Sequence, residues 1–164
     1  MSEIATDNLT AQDLQPDNDT LLDATIKVLK GRIDEDEVRR FAKQASNNVT
    51  APVLGAEASL KLAVYGVLKC DPTTQPYKSY KYDITVWGGP LYFGMSVGFM
   101  YTAFETWEAF FNRVTGAHVQ GIVFPAGALQ INFLENGLIV GQFNGAAGGI
   151  GAVEAGGTGK WERK

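Results

Sequence analysis

One histidine, one cysteine and a scatter of carboxylates are the residues of this 164-residue chain whose types suit group transfer. A lone histidine, His118, rules out a His–His metal site and a pair of histidine acid–base groups. A lone cysteine, Cys70, rules out an internal disulfide and any Cys-rich metal site. Cys70 and His118 would form a nucleophile–base pair only if the fold brought them together, and nothing in the sequence does so. Glu105 and Glu108, three apart on a helix, have the spacing of a cooperating carboxylate pair, but a solvated helix face explains them more simply. Asp83 falls on the polar side of a strand. The glycine-rich "FNGAAGGIGAVEAGGTG" invites a nucleotide-binding reading, yet no helix follows it, and Gly159-Lys160 runs into Trp161 instead of Ser or Thr. No catalytic, cofactor-binding or metal-ligating residue is therefore assigned, and the expectation is a protein that is not an enzyme.

The elements around these residues change character along the chain. Residues 1–50 hold ten acids and six bases, whereas 51–164 hold eight of each, so the whole net charge of −4 sits in the first third. No basic patch is available for nucleic acid. The tail to about Asp19 is acidic and poor in large apolar residues, and disorder is expected. "TLLDATIKVLKG" then places Leu22, Ile26 and Leu29 on one helical face, with a Thr20/Asp23 cap and Gly31 as the stop. "DEDEVRRFAKQAS" repeats the pattern, with Asp34 as N-cap and Val38, Phe41, Ala42 and Ala45 on one face.

From Ala51 the period falls to two. "SLKLAVYGVLK" reads as a strand with Leu60, Leu62, Val64, Gly66 and Leu68 on one face. "YKYDITVW" sets Tyr80, Tyr82, Ile84 and Val86 against Lys81, Asp83, Thr85 and Trp87. The uncharged stretch Val86–Phe104 is interrupted by Pro90 and four glycines, so it is not a membrane helix. It reads as a bend and a long strand kinked at Gly94 and Gly98. "TAFETWEAFFNRVTG" is a helix with a Thr102/Glu105 capping box and Phe104, Trp107, Phe111 and Val114 on a face able to plug a barrel end. Strands return in "AHVQGIVF", "ALQINFL" and "LIVGQFNG", with Asn-Gly at 136–137 as a hairpin turn. A glycine-rich final strand is anchored by Trp161. "VWGGPLYFG" and "VFPAGALQI" echo each other and suggest two similar strand groups. The boundary is set at an N-terminal region 1–50 and a barrel domain 51–164.

Two stretches, Tyr82 to Phe111 and Leu138 to Trp161, resemble the Vap family of virulence-associated proteins from pathogenic rhodococci. The V-W-G-G turn before a glycine–aromatic strand and the later G-Q-F-N-G-A carry the resemblance, which spans Ala58 to Trp161. It implies a closed eight-stranded antiparallel β-barrel of two Greek-key-like halves with one helix and a filled interior. It also implies export and action inside the host macrophage phagosome, with a host membrane lipid or host protein as partner. The opening "MSEIATDNLT" has neither region of a secretory signal peptide, so an exported protein of this kind is expected to have lost its signal in maturation.

Three functions compete on this reading. The first is a secreted, non-enzymatic virulence factor acting on host membranes or proteins. The second is a lipocalin-type carrier of a small hydrophobic ligand, which requires an unfilled interior. The third is an enzyme, for which no constellation exists. The strand assignment also carries a mutational expectation: Trp87→Ala and Gly94→Val destabilise the barrel.

Overall fold

A computed structural model describes residues 26, 34–48, 50–89, 91–122, 128–147 and 153–164. Helix α1 (Glu35–Ser46) starts where the sequence places it: the Asp34 side chain accepts a hydrogen bond from the Asp36 amide at 2.9 Å. Val38 and Phe41 are buried where α1 lies across the outer face of two barrel strands, β4 and β7, defined below. The expected disorder to Asp19 and the helix over 20–30 lie outside the described residues, apart from Ile26, which is helical.

Eight strands follow: β1 (Leu54–Ala63), β2 (Tyr65–Pro72), β3 (Tyr80–Gly89), β4 (Tyr92–Thr102), β5 (Gly116–Ile122), β6 (Ala128–Glu135), β7 (Leu138–Ala147) and β8 (Glu154–Thr158). Helix α2 (Trp107–Arg113) joins β4 to β5, and a short β9 (Glu162–Arg163) extends the edge of β3. The spatial order is β2-β1-β4-β7-β6-β5-β8-β3, and β3 pairs back onto β2, so the sheet closes into an antiparallel barrel. Within that ring β1–β4 lie in the order 4-1-2-3, and β5–β8 lie in the corresponding order 8-5-6-7. Both are Greek keys. The third strand of each pairs with the fourth strand of the other, as β4–β7 and β3–β8.

Several sequence expectations change in detail. "SLKLAVYGVLK" is two strands: Val64 is the apex of a hairpin in which Leu62 faces Gly66 and Leu60 faces Leu68. Paired residues there share parity, so the alternation runs through the turn unbroken, and no Gly, Asn or Pro stands at its apex. The stretch expected to kink is one continuous eleven-residue strand, β4. Gly98 allows close approach, because a Cβ there would lie 2.1 Å from the Asn144 carbonyl oxygen on β7. The helix begins later than expected. Thr106, not Thr102, is the N-cap, accepting from the Ala109 amide at 3.1 Å, while the Thr102 hydroxyl donates to the Val140 carbonyl at 2.9 Å. The quoted echo between "VWGGPLYFG" and "VFPAGALQI" joins β3–β4 with β5–β6, which are not equivalent positions; the counterpart of β3–β4 is β7–β8. The "PAG" turn lies outside the described residues. Asn136 and Gly137 do make the hairpin turn, with φ 49° and 87°.

Apolar side chains fill the interior. Leu60, Leu62, Leu68, Tyr82, Met100, Leu129, Ile131, Phe133 and Phe143 point inward and are fully buried. One end is plugged by α2, through Trp107, Phe110 and Phe111. Phe110 meets Phe133 edge-on at 5.2 Å, and Phe111 meets Trp161 at 4.9 Å and stacks on Tyr80 at 4.1 Å. The Trp107 indole nitrogen donates to the Pro52 carbonyl at 2.7 Å, and the Asn48 amide donates to the Thr102 and Phe104 carbonyls, so the chain entering β1 is tied to the plug. Phe110, absent from the face expected by periodicity, fits because β7 carries glycine opposite it: a Cβ at Gly141 would lie 2.2 Å from its ring. Gly141→Ala is accordingly expected to cost about 1–3 kcal/mol by overpacking, read as a lower denaturation midpoint with an unchanged m-value.

Candidate interaction surface

The groups able to do chemistry are kept apart. Cys70 points into the interior and is fully buried, and burial, then the Asp71 carboxylate, push its thiol well above its ordinary value. His118 lies on the outer face of β5, the opposite side of the wall, with its Nε2 3.1 Å from a Glu154 carboxylate oxygen. No nucleophile pair forms. Glu105 and Glu108 are both exposed; Glu108 accepts from the Tyr77 hydroxyl at 3.2 Å. Asp83 is exposed on β3, 3.7 Å from Lys69. The glycine-rich end is strand β8, passing against β3 and β5. Among the described residues no group of three or more His, Cys, Asp or Glu side chains comes together.

What the sequence left unseen is a buried amide network on the outside of the barrel. Register aligns Gln120, Gln130 and Asn144 in one row and His118, Asn132 and Gln142 in the next. The Gln130 amide donates to Asn144 at 2.9 Å, Asn144 to Gln142 at 2.9 Å, and Gln142 to Asn132 at 2.8 Å, while Gln120 donates to Gln130. Gln130 and Asn132 alternate with the inward Leu129, Ile131 and Phe133 and so face outward, yet they are fully buried. Such rows satisfy one another only in this register, so they fix strand alignment in the second Greek key. The sequence trace is the i, i+2 amide pairs Gln130/Asn132 and Gln142/Asn144.

The exposed surface is divided by charge along the barrel axis. At the α2 end stand Lys78, Glu105, Glu108, Arg113, Glu135, Lys160, Glu162 and Arg163, including an Arg113–Glu135 pair at 2.8 Å. At the opposite end lie the β1–β2 hairpin tip and the ends of the strands that β3–β4, β5–β6 and β7–β8 join in sequence. The connecting sequences, "AVYG", "WGGPLY", "IVFPAGA" and "AAGGIGAV", contain no charge. At this end Val64, Tyr65, Trp87 and Leu91 are exposed, Trp87 by 62%. Behind them Phe93, Met95 and Val97 alternate outward along β4, all exposed. The destabilisation expected of Trp87→Ala supposes a buried side chain, and Trp87 is exposed instead. It leans on Tyr65 across the β2–β3 pair, ring centroids 5.4 Å apart, an exposed contact of modest worth. At Gly94 a Cβ would lie 2.8 Å from the Tyr92 ring. The strand's alternation agrees with this exposure, since it sets Trp87 on the face of Lys81, Asp83 and Thr85.

Fold and surface together define a class: a closed double Greek-key barrel, filled with its own side chains, plugged at a charged end and apolar at the other. One solved structure of this fold is the virulence-associated protein VapD from the intracellular pathogen Rhodococcus equi. It is 19% identical over 68% of this chain and 97% of that one, with a TM-score of 0.58. The Vap resemblance read in the sequence is thus met in the fold. No protein-family model matches the sequence, and neither does any curated protein.

The buried thiol and phenol give the barrel an alkaline limit. Burial raises the Cys70 thiol from 9.0, and burial followed by the Cys70 charge raises the Tyr82 hydroxyl, which donates to the Gly159 carbonyl at 3.1 Å, from 10.0. Both groups keep their protons in the folded state while the unfolded chain loses them, so this stability is complete below pH 9.0 and falls as pH rises. Denaturation midpoints measured from pH 7 to pH 11 are expected to decline above about pH 9, less steeply in Cys70→Ala than in the native chain.

Proposed function

We propose that this protein is a non-enzymatic, virulence-associated barrel of the Vap kind that is exported and works in the host phagosome by seating its uncharged end on a membrane. The observation that carries the reading is that end itself: four connections without a charge, with Trp87, Tyr65 and Leu91 held in the open. Contiguous apolar surface on a soluble barrel marks an interaction site, and Trp and Tyr suit the boundary between acyl chains and headgroups. The seating is peripheral. Inward residues are apolar and the outer wall carries Glu57, Lys61, Lys69 and Asp83, the reverse of a membrane-spanning barrel. Among the described residues no helix is long and apolar enough to cross a bilayer. The lipocalin alternative draws less support, since the inward side chains occupy the space a ligand would need.

Cosedimentation with neutral and anionic vesicles at pH 7 and pH 5 tests the reading. The native chain is expected to bind, and Trp87→Ser and Leu91→Glu to bind at least about tenfold more weakly. Both variants are expected to melt within a few degrees of the native chain, because both side chains are exposed. Failure of the native chain to bind either vesicle, or full binding by both variants, would remove the proposal.

A further inference from the structure

The apex of the β1–β2 hairpin is a single residue, Val64, at φ 72° with Ala63 and Tyr65 paired across it. In the left-handed region Cβ crowds the carbonyl, and a β-branched residue is the least suited to it. Glycine and asparagine are the usual occupants. This chain uses both where only the turn matters: Asn136 and Gly137 take φ 49° and 87° at the β6–β7 hairpin, at the charged end. At Val64 it does the opposite, and the side chain is 74% exposed, so packing within the barrel does not offset the strain.

The strained apex is firmly held. The Gly88 amide donates to the Val64 carbonyl at 3.0 Å, and the Tyr65 and Trp87 rings sit side by side, which ties the β1–β2 and β3–β4 tips together. Gly66 keeps the turn tight, since a Cβ there would lie 1.8 Å from the Lys61 carbonyl oxygen. Strain that the surroundings enforce, on a side chain of no use to the fold, points to a use outside it.

We infer that Val64 is an anchor residue for a bilayer surface, kept apolar at a position where the turn favours Asn or Gly because its side chain is buried only when the uncharged end is seated. The inference rests on the membrane reading above and names the residue that sets its contact. Charge favours lipid as the occupant. The first charges behind the four connections are Lys61 and Glu154, and Glu154 is engaged with His118. Lys61 stands in register between Val67 and Phe93 and, among the described residues, pairs with no carboxylate. A lysine behind an apolar rim is placed for headgroup phosphates.

Three substitutions in the full chain separate strain from contact. Val64→Asn and Val64→Gly relieve the turn and are expected to raise the melting temperature by about 2–4 °C. Val64→Thr keeps the β-branch and leaves melting unchanged. All three are expected to weaken binding to vesicles of phosphatidylcholine with phosphatidylserine by at least about fivefold. Native-like binding by all three, alongside loss in Trp87→Ser, would overturn the anchor role and leave the membrane proposal standing. No rise in melting temperature for Val64→Asn and Val64→Gly would overturn the strain. No vesicle binding by the native chain removes both, and concentration-dependent dimerisation lost in Val64→Asn would assign the apex to a second copy instead.

Discussion

An eight-stranded barrel has room inside for its own side chains or for one small ligand, and the packing of this one depends on how α2 seats in one mouth. Phe110 enters the wall where Gly141 has no side chain, meets Phe133 and Trp161, and turns one mouth of the barrel into an aromatic core. Tyr80, Tyr82 and Phe111 extend that core to the strand ends. The mouth is stopped, and inward leucines pack behind the plug.

That surface is uneven because the two Greek keys place their connections at opposite ends. α2, the Asn-Gly hairpin and the C-terminal residues carry charge and lie at the plugged end. The four remaining connections carry none. On the outer wall the second Greek key hides its polar side chains in amide rows, with α1 across β7 and β4, whereas the first exposes Phe93, Met95 and Val97. A barrel with this distribution is an amphipathic body, and its apolar end includes the residue under clear backbone strain, Val64.

Much of the fold was legible because strand periodicity is local. Leu60, Leu62, Tyr82, Ile84, Val86, Leu129, Ile131 and Phe133 all face inward as their alternation required, and Asn136-Gly137 turns as its chemistry required. The β1–β2 hairpin was hidden because Val64 breaks the usual turn chemistry, so the strain that points to function is also what masked the turn. The apolar end was hidden for a different reason. Trp87 and Leu91 resemble core residues by type, and only the ring of strand ends shows that their connections gather on one side. The amide rows depend on register between β5, β6 and β7, which no single strand encodes.

Three tryptophans make the proposed seating directly measurable. Trp87 stands exposed at the uncharged end, and Trp107 and Trp161 are buried in the plug. Tryptophan emission of the full chain, recorded with vesicles whose acyl chains are brominated near the headgroup, reports which of them meets the bilayer. Seating by the uncharged end predicts quenching of the native chain that disappears in Trp87→Phe. Absence of quenching in the native chain, or quenching that persists in Trp87→Phe, would contradict it.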